Sequence, residues 1–133
     1  MQAKRPLARV LVIDDNSDIR EMIRTVLVHA GYEVTLAADG GKGLEAQRQE
    51  ASDLAITDIF MPQQDGIETI GLLKKEFPHT PIIAMSGGAK FVTRQTSVDY
   101  LATAHKFGAD RLLRKPFDID ELLKVVQEVL APR

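Results

Sequence analysis

Short apolar runs alternate five times with longer amphipathic stretches along this chain of 133 residues. Most of the runs are rich in Val, Ile and Leu, as is typical of strands buried on both faces. The stretches between them repeat apolar residues at helical spacing. Strands and helices that alternate in this way form a parallel sheet with right-handed crossover connections. The pattern therefore predicts an α/β fold with a (βα)5 organisation.

The predicted strands cover residues 9–13, 33–37, 54–57, 81–85 and 109–114. The cleanest predicted helix follows the first strand, with cap candidates among Asn16, Ser17 and Asp18. Asp18 and Glu21 have the spacing of a capping box, and Gly31 is predicted to end this helix. The last helix is predicted to begin after an Asp118 cap. Its expected inner face consists of Ile119, Leu122, Leu123, Val126 and Leu130.

Five strands fit an open, doubly wound sheet better than a closed barrel, which needs eight. Periodicity alone does not give the strand order. The flavodoxin-like order 2-1-3-4-5 is the common solution for five parallel strands, and we predict it here. The sequence is expected to hold one domain at residues 8–131, after a short polar lead at residues 1–7 and without an output domain.

Composition narrows the classes of function. The absence of cysteine excludes disulfides and thiolate metal sites. A net charge of −2 without a basic run argues against direct nucleic-acid binding. No apolar run approaches the length of a membrane span, and the first residues lack the apolar core of a signal peptide. We therefore expect a cytoplasmic location without membrane insertion.

Polar side chains stand at the expected carboxyl ends of four strands. They are Asp14 and Asp15 after the first strand, Asp58 after the third, Ser86 after the fourth and Lys115 after the fifth. In the order 2-1-3-4-5 these ends face one crevice, where open α/β sheets bind ligands. Three carboxylates close together repel one another, and a hard cation such as Mg²⁺ offsets that repulsion.

Such a crevice suits a phosphoryl group. Mg²⁺ and a lysine would neutralise its oxygens, a hydroxyl would donate to one of them, and one carboxylate would attack phosphorus in line. Because a carboxylate is already ionised at neutral pH, this nucleophile needs no general base.

Four segments in order, each at an expected strand end, are similar to those of one known family. They are residues 12–15, residues 58–66, residues 83–86 and a final stretch with Gly108-Ala109-Asp110 and Lys115-Pro116-Phe117. Together they resemble the receiver domain of response regulators in two-component signalling. The resemblance runs from about residue 9 to residue 130, nearly the whole chain.

The resemblance implies a metal site. Asp15 and Asp58 would bind Mg²⁺ directly, and Asp14 would bind it through a water molecule. The backbone carbonyl of Phe60 would be a further ligand. Mn²⁺ is the alternative cation for the same oxygen donors.

The resemblance also implies the residues that handle the phosphoryl group. Asp58 would be the phosphoacceptor, Ser86 the switch hydroxyl and Lys115 the cation that pairs with the phosphoryl group. The peptide bond before Pro116 would be cis. The donor would be a histidine kinase or a histidine phosphotransfer protein, and a downstream protein would read the modified surface.

The implied function is a phosphoacceptor signalling switch and not a turnover enzyme. The alternative is an Mg²⁺-dependent aspartyl-phosphate phosphatase. Haloacid-dehalogenase-type phosphatases carry a second acid two residues after the nucleophile, whereas Phe60 stands at that place here. A flavin or nucleotide carrier is disfavoured because no glycine-rich phosphate loop follows the first strand.

Two features depart from the family pattern. Leu112 stands three residues before Lys115, where the family usually has an aromatic switch residue. The segment from Ser86 to Lys115 is longer than the family pattern by about two helical turns. We hypothesise that residues 87–96, whose glycines allow a hinge, carry the conformational response instead of Leu112.

Overall fold

The computed structural model describes residues 7–59, 66–86 and 102–131. Its strands are β1 (Arg9–Ile13), β2 (Glu33–Ala37), β3 (Leu54–Asp58), β4 (Ile82–Ser86) and β5 (Arg111–Arg114). They form one parallel sheet in the order β2-β1-β3-β4-β5. The predicted fold class and strand order are therefore confirmed.

Helices connect the strands. They are α1 (Ser17–His29), α2 (Gly40–Gln49), α3 (Gly66–Glu76), α4, of which residues 102–106 are described, and α5 (Ile119–Leu130). Within the described ranges, no helix has both the length and the apolar character needed to cross a membrane.

The sheet separates two hydrophobic layers. Helices α1 and α5 cover one face through residues such as Leu27 and Leu122, and helices α2, α3 and α4 cover the other through residues such as Ile70. Every residue of β3 and β4 is buried. Successive side chains of a strand point to opposite faces, so Leu54 and Ala55 enter different layers. Burial on both faces explains why the central strands read as continuous apolar runs.

Asn16 is the cap of helix α1. Its side-chain oxygen accepts the backbone N–H groups of Asp18 and Ile19 at 2.9 and 3.1 Å. The predicted capping box of Asp18 and Glu21 is wrong, because Asp18 already lies in the first helical turn. The end of the helix is as predicted, with Gly31 at a φ of 103°, in the left-handed region that favours glycine.

Removing the Asn16 cap should destabilise the fold. We expect Asn16→Ala to lower the free energy of unfolding by about 1 kcal/mol, because two backbone N–H groups lose their acceptor. Asp18→Ala is the matched control, with an expected loss of about 0.5 kcal/mol from the helix dipole alone. Urea unfolding of both variants measures the difference. A larger loss of stability in Asp18→Ala than in Asn16→Ala would show that Asp18 is the cap after all.

Helix α5 buries a face slightly different from the predicted one. Leu122 and Val126 are fully buried, and Val125, which the prediction omitted, is also buried. Ile119 is 55% exposed, so its predicted core position is wrong. The physical reason is its place as the first helical residue, directly after the Asp118 cap, where the helix has only begun to pack on the sheet.

Candidate functional site

Three carboxylates meet at the carboxyl ends of β1 and β3. These strands are neighbours, with Ile13 opposite Thr57, so the residues that follow them come close. Oxygens of Asp14, Asp15 and Asp58 lie within 4.8 Å of one another. Asp14 and Asp58 are buried, whereas Asp15 is exposed. The acidic group expected from the strand ends is therefore present, and one of its members faces solvent.

Lys115 reaches both buried carboxylates from the end of β5. Its Nζ atom lies 2.7 Å from Oδ2 of Asp14 and 3.1 Å from Oδ2 of Asp58. Its backbone N–H donates to the carbonyl oxygen of Ser86 at 2.7 Å, which ties this loop to the end of β4. The peptide bond between Lys115 and Pro116 is cis, as the resemblance implied.

Lys115 is charged at neutral pH. Burial lowers the pKa of its ammonium group, but the charges of Asp58 and Asp14 and the hydrogen bonds to them outweigh burial. The net effect raises the pKa of Lys115 above its ordinary value of 10.5. The ammonium group of Lys115 therefore contacts two of the three carboxylates, those of Asp14 and Asp58.

Asp14 is held from several directions. Its Oδ1 atom accepts the backbone N–H of Asn16 at 2.9 Å, and its Oδ2 atom accepts from Lys115. Its own N–H donates to the carbonyl of Ala37, and its carbonyl accepts from Nη1 of Arg20 at 2.8 Å. Both carboxylate oxygens of Asp14 are therefore engaged, which fixes the loop between β1 and α1.

The sequence interpretation did not single out Arg20. The signal that could have found it is its spacing, because Arg20 stands one helical turn after the Asn16 cap and so returns to the start of α1. Its side chain binds the backbone of the acidic loop and, among the described residues, contacts no carboxylate. Arg20 therefore supports the shape of the site.

The donor set fits a hard divalent cation. Carboxylate oxygens are the ligands that Mg²⁺ prefers, and it commonly keeps several waters and recruits phosphate oxygens. Asp14, Asp15 and Asp58 are the described residues that could hold such an ion. Asp15 is exposed, so water could complete the coordination of an ion bound there. Phe60, the expected carbonyl ligand, lies outside the described residues.

The remaining predicted residues lie at or near the same edge. Ser86 is the last residue of β4 and is fully buried, one position beyond Met85, which pairs with Asp58. Leu112 lies on the edge strand β5 and is 38% exposed, while its neighbour Leu113 is buried. The proposed hinge at residues 87–96 lies outside the described residues.

Comparison with known proteins gives a consistent match. The pattern that defines the response regulator receiver domain matches residues 10–127. The chain is 34% identical over 122 residues to the DNA-binding transcriptional regulator NtrC of Escherichia coli (strain K12), covering 92% of this chain and 24% of NtrC. It therefore spans about a quarter of the length of that curated relative.

Two solved structures match the fold. The chemotaxis protein CheY4 of Vibrio cholerae is similar with a TM-score of 0.81 and 33% identity, covering 92% of this chain and 98% of CheY4. The receiver domain of NtrX from Brucella abortus is similar with a TM-score of 0.83 and 28% identity, covering 93% and 99% of the two chains. With five parallel strands in the expected order and an acidic cluster at their carboxyl ends, the chain belongs to the response regulator receiver domain family of two-component systems.

Proposed function

We propose that this chain is a phosphoacceptor switch in which Asp58 receives a phosphoryl group from a phosphohistidine. The observation that carries this proposal is the placement of Asp58, which shares Lys115 with Asp14 and lies beside the exposed Asp15. A nucleophilic carboxylate, a fixed cation and an open set of oxygen donors thus stand within one small crevice. These are the parts that phosphoryl transfer requires.

The transfer itself is an in-line displacement. A carboxylate oxygen of Asp58 forms a bond to phosphorus while the N–P bond of the phosphohistidine breaks, and the electron pair returns to the imidazole nitrogen. Mg²⁺, when bound, would neutralise phosphoryl oxygens and so reduce their repulsion by the carboxylate. Lys115 is already charged and would contact the phosphoryl oxygens after they displace its bond to Asp58. Ser86 would donate its hydroxyl to the same group.

The metal ligands are assigned within this proposal. Asp15 and Asp58 would bind Mg²⁺ directly, together with the backbone carbonyl of Phe60. Asp14 would act through water, because its two carboxylate oxygens already accept from Asn16 and Lys115. Mn²⁺ would fit the same oxygen donors.

Membership of the family supports a proposal for the partners. The phosphoryl donor would be a histidine kinase or a histidine phosphotransfer protein in the cytoplasm, and the product would be read by a protein target. The relative NtrC is a DNA-binding transcriptional regulator, and this chain matches a quarter of it. We assign no direct nucleic-acid contact to this chain, since its net charge is −2 and it has no basic run.

Acetyl phosphate tests the proposal without knowledge of the kinase. With Mg²⁺, we expect intact-mass spectrometry to detect one base-labile phosphoryl adduct, because an acyl phosphate hydrolyses in base. EDTA should prevent its formation. Rapid release of inorganic phosphate over many turnovers would support the phosphatase alternative. No adduct from acetyl phosphate or from a panel of histidine kinases would contradict the proposal.

A further inference from the structure

Gly66, the first residue of α3, lies against the backbone that carries Asp58. A Cβ atom built at Gly66 would lie 2.3 Å from the carbonyl oxygen of Asp58 and 2.3 Å from Cα of Ile59. It would also lie 2.9 Å from the carbonyl carbon of Ile59. All three atoms belong to the backbone, so no side-chain rotation can relieve the contact.

The requirement at Gly66 is for space and not for an unusual backbone conformation. The described glycines with positive φ are Gly31 and Gly108, and Gly66 is not among them. An alanine could therefore adopt the backbone angles of residue 66, but its methyl group would overlap with Asp58 and Ile59. The backbone N–H of Gly66 donates to the carbonyl of Ile59 at 3.3 Å, which holds the two segments together.

Helix α3 and the end of β3 are both anchored in the core. Ile67, Ile70 and Leu73 anchor the helix in the hydrophobic layer beneath the sheet. Ile59 is buried in the same layer, and its backbone N–H donates to the carbonyl oxygen of Met85 at 3.0 Å. A methyl group at residue 66 therefore has to move one of these two anchored segments, and a shift on the β3 side moves Asp58.

We infer that Gly66 is a positioning residue for the phosphoacceptor. Its missing side chain lets the start of α3 pack directly on the backbone of Asp58 and Ile59. This contact sets the distance of the Asp58 carboxylate from Asp15 and Lys115. Relief of the overlap requires a shift of about 1 Å, and misplacement by that amount can cost about 10²-fold in rate. The inference rests on the proposed role of Asp58.

Gly66→Ala tests this role, with Gly71→Ala as its matched control. Gly71 lies in the same helix, and the nearest described atom to a Cβ there belongs to Phe107, at an ordinary 3.9 Å. At saturating acetyl phosphate and Mg²⁺, we expect Gly66→Ala to lower the phosphorylation rate constant about 10²-fold per folded molecule. Gly71→Ala should keep the wild-type rate within about twofold. Circular dichroism gives the folded fraction of each variant.

A second measurement does not depend on phosphorylation. Mg²⁺ titration followed by amide NMR shifts should show affinity about tenfold weaker in Gly66→Ala, because the Asp58 oxygens move away from Asp15. If neither wild type nor Gly71→Ala forms an adduct, the proposed function fails and this titration alone decides the role of Gly66. Wild-type affinity in Gly66→Ala would then overturn the inference.

The phosphorylation rate and the folding of Gly66→Ala also test the positioning role. A folded Gly66→Ala with the wild-type rate would overturn the inference, since helix α3 would then have absorbed the methyl group. If the variant unfolds, the same assays are repeated at low temperature with sucrose, which favours the compact state. Failure to fold there would show that Gly66 serves the fold itself, and the positioning role would be withdrawn.

Discussion

Asp58→Asn should abolish the phosphoryl adduct formed from acetyl phosphate and Mg²⁺. An amide oxygen carries no negative charge, so it is a far weaker nucleophile than the carboxylate it replaces. The size of the side chain is unchanged, and Lys115 keeps its partner in Asp14. We therefore expect the free energy of unfolding to stay within about 1 kcal/mol of wild type, with repulsion among the acids reduced. Intact-mass spectrometry and urea unfolding measure the two effects.

The same substitution should weaken Mg²⁺ binding about tenfold or more, because one of the charged oxygen donors is lost. Asp120→Asn is the matched control. Asp120 is exposed in the first turn of α5, so this substitution removes the same charge at a place away from the cluster. It should form the adduct at the wild-type rate. An equal yield of adduct in Asp58→Asn would contradict the assignment and direct attention to Asp15, the exposed acid of the cluster.

Lys115→Met should lower the free energy of unfolding by about 3 kcal/mol in the absence of divalent cations. The side chain of Lys115 is 9% exposed and joins two buried carboxylates. Removing one partner of a buried ion pair leaves uncompensated charge, which is strongly destabilising. Methionine has a similar length, so little of the loss should come from packing. Urea unfolding in EDTA measures it.

Mg²⁺ should restore much of that loss. An ion that binds only the folded state stabilises it by about 2.7 kcal/mol at one hundred times its dissociation constant. Without the competing ammonium group, Lys115→Met should gain more from Mg²⁺ than wild type does. Lys124→Met, an exposed change on α5, should alter stability by no more than about 0.5 kcal/mol in either buffer. An identical loss for Lys115→Met with and without Mg²⁺ would contradict this picture of the site.

The advantage of wild type over Lys115→Met should also depend on pH. The pKa of Lys115 is raised in the folded state, so its stabilising effect is complete below the unfolded value of about 10.5. It is lost as pH rises through the higher folded-state pKa, where the ammonium group becomes neutral. The difference in unfolding free energy between the two proteins should therefore shrink in strong alkali and stay constant near neutrality.

Local sequence patterns predicted most of the fold because each pattern reports local physics. The apolar runs gave the strands, and the central runs are uniformly buried as expected. Errors occurred at helix starts. Asp18 had the right spacing for a cap, but it lies inside the first turn of α1; Asn16, directly before the helix, is the cap and is itself held by Asp14. Ile119 fitted the helical period, yet its place at the helix start leaves it exposed.

The candidate site was predicted less completely. Residue types at the strand ends indicated Asp14, Asp58 and Lys115, and the strand order brings them into contact. The residues that hold these side chains in place could not be identified from the sequence. Arg20 binds a backbone carbonyl, and Gly66 contributes by having no side chain, so neither shows a chemical pattern of its own.

The sequence by itself determined the chemistry available to this protein. It placed acids, a hydroxyl and a lysine at the ends of strands, because polar residues interrupt apolar runs where strands leave the core. Only the tertiary structure decided which of these groups meet. Lys115 reaches Asp14 across 101 positions of the chain, because β1 and β3 are adjacent and β5 lies two strands from β3 in the same parallel sheet. Distances between side chains that are far apart in the sequence depend on strand order and on how closely helices approach the sheet. Neither can be predicted from a single local pattern.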